Sequence, residues 1–125
     1  MPYMGLAQDQ WLAPTAKTAS YYIKKDDCGA LFTNKGAAGA VTFYLPPIAE
    51  ISAGWSVRFF VAAGQNLIVT APSGKLIAFN NAAATSIAFQ QASELIGNSL
   101  EIIYDGALYM AIVNMASEAV TITIS

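Results

Sequence analysis

The side chains that could do chemistry are few, and their spacing limits them further. The chain has no histidine, so the commonest general base is missing, and with it every Ser–His or Cys–His nucleophile pair. Asp26 and Asp27 are adjacent, whereas glycoside hydrolysis needs two carboxylates about 5–10 Å apart across a cleft. Neighbours in a turn diverge, and the remaining acids stand singly near turns. No catalytic residue is assigned, and the chain reads as a non-enzyme. With loop carbonyls, the same two aspartates are hard oxygen ligands of the kind a divalent ion takes. A solvated turn accounts for them better, and neither a metal nor another cofactor is assigned. Cys28 is the only cysteine, which excludes an intrachain disulfide framework or a zinc cluster and predicts a thiol packed as a small hydrophobe. Gly36-Ala37-Ala38-Gly39 lacks the lysine and the strand–loop–helix context of a phosphate loop, so its glycines read as steric. Trp55, Phe59, Phe60, Tyr104 and Tyr109 could stack a sugar or a base, yet alternation assigns most of them to a core or a subunit interface. Arg58 stands alone among apolar neighbours. If buried it needs a carboxylate or carbonyl partner, and that partner is expected across a subunit boundary.

The elements that must position these residues are short strands. From Ala40 to Leu45, Val41, Phe43 and Leu45 fall on one face and Thr42 and Tyr44 on the other, the period of two of a half-buried strand. Asn34-Lys35-Gly36 and Gly39 before it tolerate positive φ, and Pro46-Pro47 behind it removes two backbone donors and stops it. Strand signals recur at Ser20–Ile23, Ala30–Thr33, Leu67–Thr70 and Lys75–Phe79, with Asn80–Ala84 read as a loop. Trp55–Ala62 is apolar on both faces except at Ser56 and Arg58, which predicts a central strand. Ser86–Gln90 alternates and predicts a strand, followed by a helical turn at 93–96. Leu100–Tyr104 and Ala107–Val113 flank Asp105-Gly106, the signal of a type I′ hairpin. Ala119–Ile124 alternates to the last residues given. Eight or nine short strands separated by Gly, Pro, Asn and Asp turns predict an all-β, single-domain β-sandwich or jelly-roll-like barrel, spanning 18–125.

Residues 1–17 show neither period and contain Pro2, Gly5 and Pro14. Tyr3, Met4, Leu6, Trp11 and Leu12 make the segment too apolar for an idle disordered tail. Two readings fit: an extended N-terminal arm docked on another molecule, anchored by Tyr3 and Trp11, or a segment folded back over its own core.

Composition points to self-association. The chain is 55% hydrophobic and 11% charged, against about 25% charged in ordinary soluble domains, so a monomer would expose large apolar patches. No uninterrupted apolar run reaches the roughly 18–20 residues of a spanning helix, which favours an oligomer over a membrane protein. A net charge of −2 with no basic stripe leaves no electrostatic footprint for nucleic acid. The first ten residues lack a basic segment followed by an apolar one, so no secretory signal is expected.

The run TNKGAAGAVTFYLP (33–46) resembles a pattern found in small all-β virion proteins of tailed bacteriophages: head decoration (cement) proteins, head fibres and tail-spike or tail-fibre pieces. Further matches follow in register at 54–61 (GWSVRFFV), 65–69 (QNLIV) and 105–109 (DGALY), with Gly97 before the penultimate strand. Where the pattern often has Trp after Asp-Gly, this chain has Leu108-Tyr109. The resemblance covers roughly residues 22–113. It implies a structural protein of the virion, assembled in the host cytoplasm, that binds the major capsid protein on the outer head surface as a homo-oligomer, with a trimer favoured. It also leaves open a carbohydrate- or receptor-binding module of a head or tail fibre.

Overall fold

The computed structural model describes residues 13–90, 95–115 and 121–125. The strands are β1 (Thr15–Ala16), β2 (Tyr21–Tyr22), β3 (Leu31–Thr33), β4 (Val41–Tyr44), β5 (Ser56–Phe60), β6 (Leu67–Thr70), β7 (Leu76–Ala78), β8 (Asn81–Ala84), β9 (Ser86–Gln90), β10 (Ser99–Tyr104), β11 (Tyr109–Asn114) and β12 (Thr121–Ile124). They form two sheets, a seven-stranded one in the order β1-β3-β5-β10-β11-β7-β8 and a five-stranded one in the order β12-β9-β6-β4-β2. The expected all-β sandwich is therefore the observed fold. Its ladders are mixed: β1–β3, β3–β5, β7–β11, β2–β4 and β4–β6 run parallel. Alternation reports which face a residue occupies and carries no information about strand direction.

The inner faces meet in one core. Phe32 and Phe59 from the large sheet pack on Phe43 from the small one, with ring centroids 5.5 and 5.1 Å from Phe43. Val41, Leu67, Val69 and Ile87 face Val57, Leu76, Leu100 and Ile102, all almost fully buried. Fully burying each such side chain contributes about 1.5–3 kcal/mol, so this layer is what holds two sheets of such short strands together.

Trp55, Phe59, Tyr104 and Tyr109, which the sequence left between core and ligand platform, are core residues. Trp55 Nε1 donates to the Lys25 carbonyl at 2.9 Å, and the Tyr109 hydroxyl donates to the Pro46 carbonyl at 2.5 Å. The buried polar tips of Trp55 and Tyr109 thus have their partners. Burial pushes the Tyr109 phenol well above its ordinary range.

Several local expectations change. Cys28 is exposed rather than packed, because it ends the 3₁₀ turn Lys25–Asp27 on the surface. Asp105-Gly106 does not make a two-residue turn. The β10–β11 connection is Asp105–Leu108, only Gly106 has positive φ there, and the Asp105 carboxylate accepts from the N–H groups of Ala107 and Leu108 at 2.8 Å each. The side-chain acceptor closes a wider loop than the dipeptide signal predicts. Residues 81–84 are strand β8 instead of loop, joined to β7 by Phe79 and Asn80, both at positive φ (42° and 65°). Of the expected arm, Thr15 and Ala16 already belong to the large sheet, in register with Phe32 and Thr33.

Candidate functional site

A sandwich of this size offers ligands its two outer faces, its edges and its turns, and the sequence-derived candidates are distributed among them. Asp26 and Asp27 lie in the 3₁₀ turn after β2. Asp27 Oδ2 accepts from the Lys24 N–H at 2.9 Å and from the Tyr21 hydroxyl at 3.0 Å. Burial, and then this bond, raise the Tyr21 phenol above its ordinary value. That carboxylate is a turn-closing acceptor. Among the described residues no three His, Cys, Asp or Glu gather as a metal would require.

Gly36 takes positive φ (85°) in the loop after β3, and Gly39 does not. The residue that organises this loop is Asn34, fully buried at 0% exposure. Its Oδ1 accepts from the N–H groups of Ala62 and Ala63 at 2.8 and 2.9 Å, and its Nδ2 donates to the carbonyls of Ala63 and Gln65 at 3.3 Å each. A side-chain amide thus completes a backbone connection that has no strand beside it, and fixes the end of β3 to the β5–β6 loop. The sequence reading took Asn34 only as a turn residue. The one signal available for its larger role is an amide, able both to donate and to accept, at the mouth of a glycine loop.

Arg58 is exposed on the outer face of β5, not buried among apolar side chains. The period of two puts Val57 and Phe59 inward and Arg58 and Phe60 outward, and Phe60 is 39% exposed. Trp55–Ala62 therefore does give an inner strand, flanked by β3 and β10, but among the described residues no element packs on its second face. Arg58 lies in register with Leu31 on β3 and Glu101 on β10, and Glu101 with Ile112 on β11. A depression of about 270 Å³ opens here, lined by Leu31, Arg58, Phe60, Ser99, Glu101 and Asn114 among others. Among the described residues, no ion pair closes on Arg58 or Glu101. Ile103, Met110 and Ile77 continue the same face on the next row. Tyr3, Met4, Leu6, Trp11 and Leu12, the other expected contact residues, lie outside the described residues.

The outer face of the small sheet is chemically different. Tyr22, Tyr44, Thr70 and Ser86 form one row across β2, β4, β6 and β9. Tyr22 is 71% exposed and stacks on Tyr44 with centroids 4.4 Å apart and planes 14° from parallel. Beside them Leu45, Pro47, Thr70 and Pro72 line a cleft of about 370 Å³. The sequence reading missed this tyrosine pair, since 22 residues separate the two positions and only the parallel ladder brings them together.

No helix among the described residues is long and apolar enough to cross a membrane. No protein-family model matches the chain, and no curated protein matches it.

Proposed function

We propose that the chain is a non-enzymatic structural protein of a tailed-phage virion, a head decoration or cement protein that self-associates and holds the outer capsid surface through residues 1–12, the part of the expected 1–17 arm that precedes the sheet. The observation that carries this reading is the open apolar face around Arg58, on a chain with half the usual share of charge. Such a face suits permanent contact with protein better than a turnover cycle with a small substrate. The resemblance of residues 33–46 and of the later segments supports the virion as the setting. The mechanism is mechanical. At about 25 cal/mol per Å² of apolar surface removed from water, a few hundred Å² per arm, repeated around a shell, oppose the internal pressure that separates capsid subunits. An antibody against the chain, applied to intact virions and imaged by electron microscopy, tests the location. Even labelling of the head is expected, and label confined to the tail overturns the reading. Deleting residues 1–12 is expected to leave a folded chain that no longer sediments with heads; retained binding removes the arm as anchor.

One observation favours a second reading, a carbohydrate-binding module of a fibre. The exposed Tyr22–Tyr44 stack with its adjoining cleft offers a flat aromatic surface and a hydroxyl from Thr70. Glycan-array binding that Tyr22→Ala abolishes would establish it, with label on fibres instead of heads.

A further inference from the structure

Four side chains lie side by side on the outer face of the large sheet, one from each of four adjacent strands: Leu31 on β3, Arg58 on β5, Glu101 on β10 and Ile112 on β11. Read across the sheet the row is apolar, positive, negative, apolar. Turned end for end it is apolar, negative, positive, apolar, so the row is complementary to its own reversal. A twofold axis in the plane of contact, running along the strands between β5 and β10, performs that reversal. It sets Leu31 against Ile112 of a second copy and Arg58 against Glu101 of a second copy, and each contact occurs twice. An axis placed over any one of these strands would instead oppose a residue to itself, and over β10 it would bring two Glu101 carboxylates together.

We infer that this face is the contact between two copies of the chain, packed sheet on sheet about that axis, with Arg58 and Glu101 forming two intersubunit ion pairs between flanking apolar contacts. Two observations converge on a second copy as the occupant. The charges on the face are equal and opposite and, among the described residues, close no ion pair within the chain. Ile112 is a 46% exposed knob that the axis carries onto Leu31, at the margin of the depression that lies over β5 and β10. Aligned packing of two sheets at about 10 Å is the ordinary geometry of such faces. The inference shares with the virion reading only the premise of self-association. A trimer, the order implied by the resemblance, joins two different patches and cannot oppose this row to itself.

Sedimentation equilibrium on the full chain tests it. The wild type is expected to be a dimer. Arg58→Glu makes the row doubly negative and Glu101→Arg makes it doubly positive, and each is expected to weaken the dimer by roughly 100-fold through like-charge opposition. Mixing the two variants is expected to restore the dimer as a heterodimer, because every opposed pair is then of opposite sign. The double variant is expected to dimerise with itself. Recovery on mixing separates this contact from an ion pair within one chain, which mixing cannot repair. A wild-type monomer or trimer, single variants of unchanged mass, or a mixture that stays monomeric overturns the inference. Its failure and that of the virion reading are distinct, since a dimer that labels no particle removes only the latter.

Discussion

The two outer faces of the sandwich stand on the same pleated backbone and have opposite surface chemistry. Around Arg58, β3, β5, β10 and β11 present Leu31, Phe60, Ile103, Met110 and Ile112 about a single pair of opposite charges, with Ser56, Ser99 and Asn114 among them. Across β2, β4, β6 and β9 the corresponding row is Tyr22, Tyr44, Thr70 and Ser86, every member of which carries a hydroxyl. The first face can be dried by a surface that supplies apolar contact, one matched charge pair and hydrogen-bond partners for Ser56, Ser99 and Asn114. Drying the second leaves four hydroxyls to satisfy, each unsatisfied group costing about 1–3 kcal/mol, so it suits water or an exchangeable polar ligand. Both inner faces feed one buried core, with only edge positions such as Tyr21, Ala111, Val113 and Ile124 partly exposed; the difference between the sheets lies in their outward residues.

Phe59 and Phe60 test that separation within one strand, and the largest effect is expected there. Phe59 is 1% exposed and touches Phe32 and Phe43. Phe59→Ala should cost about 3–5 kcal/mol of stability in urea unfolding, through lost burial and the cavity left behind. Phe60→Ala should stay within about 1 kcal/mol of the wild type, because that ring points outward. A large loss at Phe60 in the dissociated chain would show the outer face to be part of the core.

Exchanging chemistry between the faces is the next largest test. Ile112→Glu sets a carboxylate beside Glu101 and removes an apolar contact. Association measured by sedimentation should weaken about 100-fold, with the isolated chain as stable as before. Thr42→Glu, on the outer face of β4, should leave the mass unchanged. The reverse pattern would assign self-association to the small sheet.

What the sequence makes legible here is local, and what it hides depends on which strands become neighbours. The alternation of Val41, Thr42, Phe43 and Tyr44 gives the strand and both of its faces, and Pro46-Pro47 gives its end. Glu101 is 43 positions from Arg58, and nothing in the composition of either segment says that they share a row. The apolar reading of Trp55–Ala62 had the same origin: Phe60 is hydrophobic whether it faces the core or a partner, so residue type alone cannot assign its side. Asn34 shows the limit from the polar side. Its four hydrogen bonds go to residues 28 to 31 positions away, while its local context describes a turn.

Phe79 sharpens the comparison at the rim, by about 1 kcal/mol. It is 55% exposed at φ 42° in the two-residue connection between β7 and β8, a conformation costly for a bulky side chain and free for glycine. Phe79→Gly should raise the unfolding free energy by about 1 kcal/mol through relief of that strain. Lost capsid or partner binding in that stabilised variant would mark Phe79 as a contact residue kept at the expense of the turn. Unchanged binding would limit the contact surface to the sheet faces.

The smallest effect concerns the loop that sets Glu101 opposite Ile112. Backbone N–H groups of Leu108 and Ala107 hold the Asp105 carboxyl below its ordinary 3.8. A carboxyl held low in the folded chain contributes stability that is present above its unfolded value and is lost as pH falls through its folded one. The β10–β11 hairpin should therefore loosen selectively below about pH 4, seen as faster amide exchange in β10 and β11 than in β6 and β9. Asp105→Asn keeps an acceptor oxygen for both N–H groups and removes the titration. Its protection, exchange taken relative to the unprotected amide at each pH, should be slightly lower than wild type at neutral pH and independent of pH through the acid range. If both sheets loosen together in both proteins, the acid response belongs to the whole sandwich, and the register of the charged row does not depend on this turn.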